Sequence, residues 1–499
     1  MADVDPDFLA LPLAPLADAA LQRAAELGAE HADVRLERIR TERLALRDAV
    51  LTTADDVVDL GVSVRVVHDG SWGFAAGIVL TVEAVVELAE RAVGVARTAK
   101  PLTHERIELA DEPSHGEQTW VSAYDIDSFG VPTSDRVDRL VHLSRLALGQ
   151  DPVRHVSATL MSVKEQKFYA DSAGTRTTQQ RVRLHPAVTA DGADVGRGIF
   201  DSIRTLSPPA GRGWEYVLRG EFDTDVAALP GLLAEKLAAP SVRAGRYDLV
   251  IDPSNLWLTI HESIGHATEL DRALGYEANY AGTSFATPDQ LGTLRYGSPV
   301  MHVTGDRTVE HGLATIGFDD DGVATQEWDI VAGGTLVGYQ LDRRIARRHG
   351  LGRSNGCAFA DSSGHVAIQR MANVSLQPSP DPISTDDLIG DVESGLFISG
   401  DRSWSIDMQR YNFQFTGQQF HRIENGRLVG QVRDVAYQAT TTDFWGSMEA
   451  VGGADTWVLG GAFNCGKAEP GQVASVSHGA PSALFRGVRV LNTTEESGR

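Results

Sequence analysis

Two histidines and a glutamate in the segment "TIHESIGHATEL", residues 259–270, could bind and use a metal ion. His261 and His266 are five positions apart with Glu262 between them, whereas the familiar zinc-protease motif HExxH places its histidines four apart. Imidazole nitrogens are zinc ligands, and a neighbouring glutamate can act as a general base. The alternative is a helix with two hydrogen-bonded histidines and an exposed glutamate.

The five-residue spacing sets a condition on the helix. Residues five apart lie roughly 140° apart around a regular α-helix, so their side chains cannot reach one ion. A π-bulge absorbs the extra residue, and such bulges favour functional sites. Gly265, just before His266, is the residue here that best tolerates unusual backbone angles. We therefore expect a helix that is capped by Ser254 and is irregular between Glu262 and His266, with both imidazoles reaching one point.

A catalytic zinc site needs a third protein ligand and one open position. The nearby carboxylates are Glu269, Asp271 and Glu277. A distant candidate is Cys465 in "LGGAFNCGKAEPGQ", where Lys467 could stabilise a thiolate. Cys357 in "RSNGCAFAD" is a weaker candidate of the same kind, and the residue types alone leave these choices open.

The elements that must position these residues indicate an α+β fold. A chain of 499 residues exceeds what one core usually serves, and its 50 glycines and 20 prolines indicate many turns and much β structure. We predict an N-terminal α/β module at 1–110, a middle α+β domain at 119–240 and a β-rich C-terminal domain at 245–492 that carries the HExxxH helix. Asn425-Gly426, between alternating runs in the third region, predicts a hairpin.

Local patterns place further elements in the first two regions. Residues 61–77, "GVSVRVVHDGSWGFAAG", have the pattern of strand, tight turn and strand. Residues 81–98 predict an amphipathic helix with Thr81 as N-cap. Residues 222–240 predict a helix interrupted at Pro230.

Composition excludes several classes of partner. The formal net charge of −23 argues against binding to nucleic acid and against docking on an anionic membrane. Two cysteines are too few for a disulfide framework. The N-terminus has no signal-peptide pattern, and no run approaches the roughly 18 apolar residues of a membrane span. We therefore expect a cytoplasmic protein.

Four segments carry a resemblance to a known family. They are "HESIGHATELD" (261–271), "IQRMANVSL" (368–376), "RIENGRLVG" (422–430) and "CGKAEPGQ" (465–472). In these segments, and in order over nearly the whole chain, the sequence resembles the TldD/PmbA family of metallopeptidases, in its TldD-type catalytic branch.

The resemblance implies roles for particular residues. His261, His266 and Cys465 would bind one Zn²⁺ per chain, and Glu262 would be the catalytic base. Asp271 would orient a ligand, although a surface carboxylate near a helix end is an equally good interpretation. The two remaining residues, Arg370 and Asn373, would bind substrate backbone or brace the fold, and we favour bracing.

The function implied is a zinc-dependent peptidase that hydrolyses short or unfolded peptides, in peptide maturation or in degradation of small unfolded proteins. The alternatives are a peptide-binding scaffold subunit with a structural zinc, or a metal-dependent amidase acting on small substrates. The intact Glu262 argues against the scaffold, because a closed structural site needs no base. The resemblance also implies a dimer, either with a non-catalytic TldE/PmbA-type paralogue or with a second copy of the chain.

Overall fold

The computed structural model describes residues 3–496 and has the α+β fold that the sequence predicts. Seven strands from the first 204 residues form a single sheet: β1 (His31–Arg47), β2 (Val50–His68), β3 (Ser71–Gly77), β4 (Glu117–Val121), β5 (Val153–Asp171), β6 (Arg176–Asp194) and β7 (Ile199–Arg204). Their order is β3-β2-β1-β5-β6-β4, and β7 also pairs with β6. The segments 1–110 and 119–240 thus share this sheet, because β1 pairs with β5 along most of its length.

Two separate groups of helices cover this sheet. The helices are α1 (Pro6–Leu9), α2 (Leu13–Glu26), α3 (Val82–Ala99), α4 (Thr133–Ala147) and α5 (Gly220–Ala238). Helices α2 and α3 pack on one end of β1, around Val34 and Leu36. Helices α4 and α5 pack on its other end, around Leu44 and Leu46. The helices of each predicted segment therefore pack on a different apolar core, although strands of both segments contribute to each core, and the boundary between the segments remains a prediction.

The local predictions for this half meet different outcomes. The turn between β2 and β3 is confirmed, since Asp69 and Gly70 have φ of 48° and 68°, as a tight hairpin requires. The helix capped by Thr81 is also confirmed, because the Thr81 side chain accepts a hydrogen bond from the Ala84 N–H. The interruption at Pro230 is wrong, because α5 continues through it. Burial of apolar side chains on both sides of the proline holds the helix together despite one lost hydrogen bond.

The C-terminal region is β-rich, as predicted. Its strands are β8 (Gly245–Ile251), β9 (Val303–Asp306), β10 (Glu327–Ala332), β11 (Thr335–Leu336), β12 (Ala358–Phe359), β13 (Ile368–Gln369), β14 (Asn373–Leu376), β15 (Ser394–Ile406), β16 (Asn412–Glu424), β17 (Arg427–Val432), β18 (Val435–Thr440), β19 (Met448–Val451), β20 (Val458–Lys467), β21 (Gln472–Ala480) and β22 (Ala483–Asn492). Its helices are α6 (Pro253–Ile260), α7 (Leu270–Ala273), α8 (Arg343–Arg348), α9 (Thr385–Gly390), α10 (Thr441–Gly446) and α11 (Thr493–Glu496).

A mixed sheet supports the helix that carries the histidine motif. Its order is β15-β8-β22-β18-β16-β17, with β19 beside β22. The Asn425-Gly426 hairpin between β16 and β17 is confirmed, with φ of 50° and 74°. Strand β8 leads directly into α6, so the central part of this sheet fixes where the motif begins. Across residues 3–496, none of the helices combines the length and the apolar character that a bilayer-spanning helix needs.

Candidate metal centre

The helix that carries the motif begins two residues earlier than predicted. The N-cap of α6 is Asp252, whose side chain accepts a hydrogen bond from the Ser254 N–H. The prediction of Ser254 as the cap is therefore wrong. Pro253 explains the difference, because proline fits the first helical position, where no N–H is required. Ser254 instead accepts a hydrogen bond from the Gly400 N–H, which ties α6 to β15.

The backbone absorbs the extra residue of the HExxxH motif, as predicted. Residues His261–Gly265 form one turn of π-helix directly after α6. The rings of His261 and His266 lie on the same side, with centroids 4.7 Å apart. The explanation based on Gly265 is wrong, because its φ of −51° and ψ of −60° are ordinary helical values. Glycine is needed there for space, since a Cβ would lie 2.6 Å from the Met371 sulfur.

Cys465 on β20 completes a group of three donors with the two histidines. One ligand atom from each of His261, His266 and Cys465 lies within 4.8 Å of the others, and all three residues are buried. The Cys465 Sγ is 3.6 Å from Nε2 of His266. A tetrahedral zinc with ordinary Zn–S and Zn–N bonds separates S and N by about 3.6 Å, so the donors present fit this ion.

Hydrogen bonds at Nδ1 orient both imidazoles. Nδ1 of His266 donates to the Glu269 carboxylate over 2.8 Å. Nδ1 of His261 is 2.7 Å from Nε2 of His478. Burial lowers the pKa of His261, so its ring is neutral at neutral pH. The Nε2 atom of each motif histidine is therefore available on the side of the site where the Cys465 thiol lies.

Glu262 is an ionised carboxylate beside these donors. Burial acts to raise its pKa, but electrostatic interactions with the basic side chains around it, Arg410 among them, hold the pKa below the usual range. The Arg410 guanidinium donates to the Glu262 carboxylate from the loop between β15 and β16. The carboxylate is therefore in the form that can accept a proton.

The other carboxylates form a buried network behind His266. Lys467 Nζ lies 3.2 Å from Glu269 and 2.8 Å from Asp271. Burial acts to raise the pKa of Glu269, but Lys467 and the hydrogen bond from His266 hold it well below the usual value. Asp271 is buried, so its interpretation as a surface carboxylate is wrong, and it contacts Lys467 rather than a histidine. Glu277 lies beside Arg272 in the same network.

The remaining candidates lie around the donors. Arg370 donates to the backbone carbonyl of Cys465, which fixes the strand that carries the thiol. The Asn373 side chain accepts hydrogen bonds from the backbone N–H groups of Ala314 and Ser477, which is the geometry of a brace. Cys357 is fully buried away from the three-donor group, and burial raises the pKa of its thiol to about 11.

Three residues of the site have roles that sequence reasoning missed. The sequence suggests Glu269 only as a ligand, although its position three residues after His266 favours a hydrogen bond across one helical turn. Arg410 and His478 had no signal in the sequence. They lie far along the chain from the motif, Arg410 in a loop and His478 on β21, and only the folded protein brings them to it.

A cavity of about 540 Å³ opens onto the donors and Glu262. Residues 458–466 of β20 form one wall, and residues 204–209, which follow the first sheet, form another. The site therefore lies where the N-terminal sheet meets the C-terminal region. The donors can face solvent and ligand on one side while their other sides are buried.

Two family descriptions match the chain. Residues 244–492 match the PmbA/TldA metallopeptidase C-terminal domain, and residues 32–96 match the PmbA/TldA metallopeptidase domain 1. Together the two matches cover more than half of the sequence. The first includes all three donors and Glu262.

Individual relatives match over almost their full length. A metalloprotease of Methanothermobacter thermautotrophicus is 26% identical, over 98% of this chain and 100% of its own. A zinc metalloprotease TldD homolog of Saccharolobus solfataricus is 22% identical, over 94% of this chain and 98% of its own. The crystal structure of TldE from Thermococcus kodakarensis has the same fold, with a TM-score of 0.73 at 16% identity, over 95% of this chain and 99% of that one.

Proposed function

Because the chain belongs to the PmbA/TldD family of metallopeptidases, we propose that it is a zinc-dependent peptidase that cleaves short or unfolded peptides. One observation carries the proposal. Two imidazoles, a thiol and an ionised glutamate converge on one wall of a cavity at the junction of the two halves. A closed structural zinc would have no use for the glutamate or for the open side.

His261, His266 and Cys465 would hold one zinc ion per chain. The proposal is supported by the mixed N and S donors, by their spacing and by the zinc metalloprotease among the relatives. When bound, the zinc would polarise the scissile carbonyl and lower the pKa of water. Arg370 would keep the thiol in place through the Cys465 carbonyl.

Glu262 would move the proton. Its carboxylate would take a proton from the attacking water and deliver it to the nitrogen of the leaving amine. Arg410 holds this carboxylate on the cavity side and helps to keep it ionised before substrate arrives. The ion pair with Arg410 thus fixes the orientation of the base.

The substrate would bind as an extended chain. Strand β20 pairs only with β21 among residues 3–496, and residues 458–466 line the cavity. A free strand edge can hold a peptide through backbone hydrogen bonds. A folded protein could not enter a cavity of this size, so folded proteins should be poor substrates.

Glu262→Gln separates metal binding from chemistry. The amide keeps the shape of the side chain but cannot take a proton. Zinc content should remain near one ion per chain, while peptide hydrolysis falls by roughly two orders of magnitude or more, the scale of a lost general base. Metal analysis and turnover should be measured on the same preparations, with mass spectrometry of the products from a mixed peptide library.

The competing functions give different results. A scaffold with a structural zinc would hold the metal but hydrolyse no peptide, and Glu262→Gln would have no effect. An amidase would cleave small amides and leave the peptide library intact. The predicted dimer should be tested first, by light scattering of the chain alone and with a TldE-type paralogue, so that an inactive single subunit is not mistaken for a scaffold.

A further inference from the structure

His261 is the first of three groups that are linked in a chain by hydrogen bonds. Nδ1 of His261 is 2.7 Å from Nε2 of His478, and Nδ1 of His478 is 2.8 Å from the backbone carbonyl of Val374. His478 is fully buried on β21, and its ring lies parallel to that of Trp257 at 6.3 Å. The chain therefore joins the π-helical turn to strand β14 through a side chain with no access to solvent.

The last member of this chain fixes the direction of the others. A carbonyl oxygen can only accept, so Nδ1 of His478 must carry a proton. In a neutral ring, Nε2 of His478 is then an acceptor, and Nδ1 of His261 must donate to it. That leaves Nε2 of His261 without a proton, as a lone pair. The direction follows from which groups can donate.

We propose that His478 is a positioning residue that fixes His261 as a metal ligand through its Nε2. The inference rests on the proposed zinc site, because it concerns which nitrogen of His261 meets the ion. Without the acceptor, His261 could also take the tautomer that carries its proton on Nε2, and that tautomer cannot bind a metal through Nε2. The buried imidazole removes this option before metal arrives.

Partners of this kind contribute strongly to affinity at other metal sites. Loss of a group that hydrogen-bonds a metal-binding histidine typically costs 10–100-fold in affinity or activity. His478→Phe keeps a flat ring of similar size but removes both nitrogens. His478→Gln keeps an acceptor that can face His261 and a donor that can face Val374. The two variants therefore separate the hydrogen bond from the packing.

The test is zinc affinity, measured by competition with a chelator of known affinity. We expect His478→Phe to bind zinc 10–100-fold more weakly than the wild type, and His478→Gln to stay within about 3-fold. His421→Phe is the matched control, because it makes the same change at a half-buried histidine on β16, and its affinity should be unchanged. The role of the hydrogen bond would be overturned if His478→Phe bound zinc as tightly as the wild type. It would also be overturned if His478→Phe and His478→Gln lost zinc affinity equally.

A second measurement uses only the wild type, so it does not depend on whether a variant folds. In wild-type protein with ¹⁵N-labelled histidine and the metal removed, NMR should show the His261 proton on Nδ1. A proton on Nε2 would overturn the inference. Failure of the proposed function is a separate result, since a wild type that binds no zinc would be evident from metal analysis before any variant is compared.

Discussion

His266 is backed by a charged network, whereas His261 is backed by a neutral chain of hydrogen bonds. Behind His266 stand the Glu269 carboxylate and the Lys467 ammonium, both buried. Behind His261 stand the His478 imidazole and the carbonyl of Val374. Both arrangements occupy Nδ1 and leave Nε2 for the site. The comparison shows that one geometric requirement is met by two kinds of chemistry in the same centre.

The two sides should differ in what they contribute. An imidazole that donates a hydrogen bond to a carboxylate becomes more basic than one that donates to a neutral ring. His266 should therefore be a stronger metal ligand than His261. Buried charges also depend on each other, because removing one partner leaves the other desolvated and unpaired. The His266 side should therefore be the more sensitive to mutation, and the His261 side the more tolerant.

The largest effect should come from loss of Cys465, the ligand that completes the site with both histidines. Cys465→Ala removes the thiol that faces His266 Nε2, and two histidines alone make a weak zinc site. The purified variant should contain almost no zinc. Cys357→Ala is the control, because that thiol is buried elsewhere, and it should keep wild-type metal content. Loss of metal from the control with retention in Cys465→Ala would show that the wrong thiol has been assigned.

How much of this centre could be predicted depends on how far apart its parts lie in the sequence. The π-helical turn followed from the spacing of His261 and His266, because helix geometry is local. The thiol of Cys465 was reached only through family resemblance. His478 could not be found, because its contact with His261 depends on the register of β20 and β21 and on the packing of β21 beside the motif.

The fold shows the same division. The helix capped by Thr81 and the hairpin at Asn425 were predicted from local residue patterns. The pairing of β1 with β5 was not, because it joins strands more than 100 residues apart that alternate like many other strands. Composition and periodicity predict the elements and the β-rich character of 245–492, but they contain no information on which long strands become neighbours.

The next largest effect should come from the charged side. Lys467→Met leaves the carboxylates of Glu269 and Asp271 buried without their cation. The free energy of unfolding should fall by about 3–5 kcal/mol, the usual cost of breaking a buried ion pair. Denaturant titration of the zinc-free protein measures it. Lys100→Met changes a partly exposed lysine and should alter stability by less than about 0.5 kcal/mol.

The outcome bears directly on the comparison. His478→Phe removes the donor to the Val374 carbonyl and the acceptor of His261 Nδ1, and a neutral buried group that loses its partner costs about 1–3 kcal/mol. If Lys467→Met proved less destabilising than His478→Phe, the charged side would not be the more sensitive one, and the contrast between the two sides would fail.

The smallest effect concerns Asp271, at the outer end of the charged side. Burial raises its pKa to about 6, above the ordinary value of 3.8. Between these values the folded protein binds a proton that the unfolded chain releases, so the free energy of unfolding should fall as pH rises from about 4 to about 6.

Asp271→Asn removes this titration. In zinc-free protein, the difference in stability between variant and wild type should therefore shift in favour of the variant by on the order of 1–2 kcal/mol over that range. His478→Gln, on the neutral side, should shift the other way, because burial lowers the pKa of His478 and the wild type gains stability over this range that the variant does not. Parallel pH profiles for wild type and Asp271→Asn would mean that Lys467 keeps this carboxylate ionised throughout, and the charged side would then lose stability nowhere in this range.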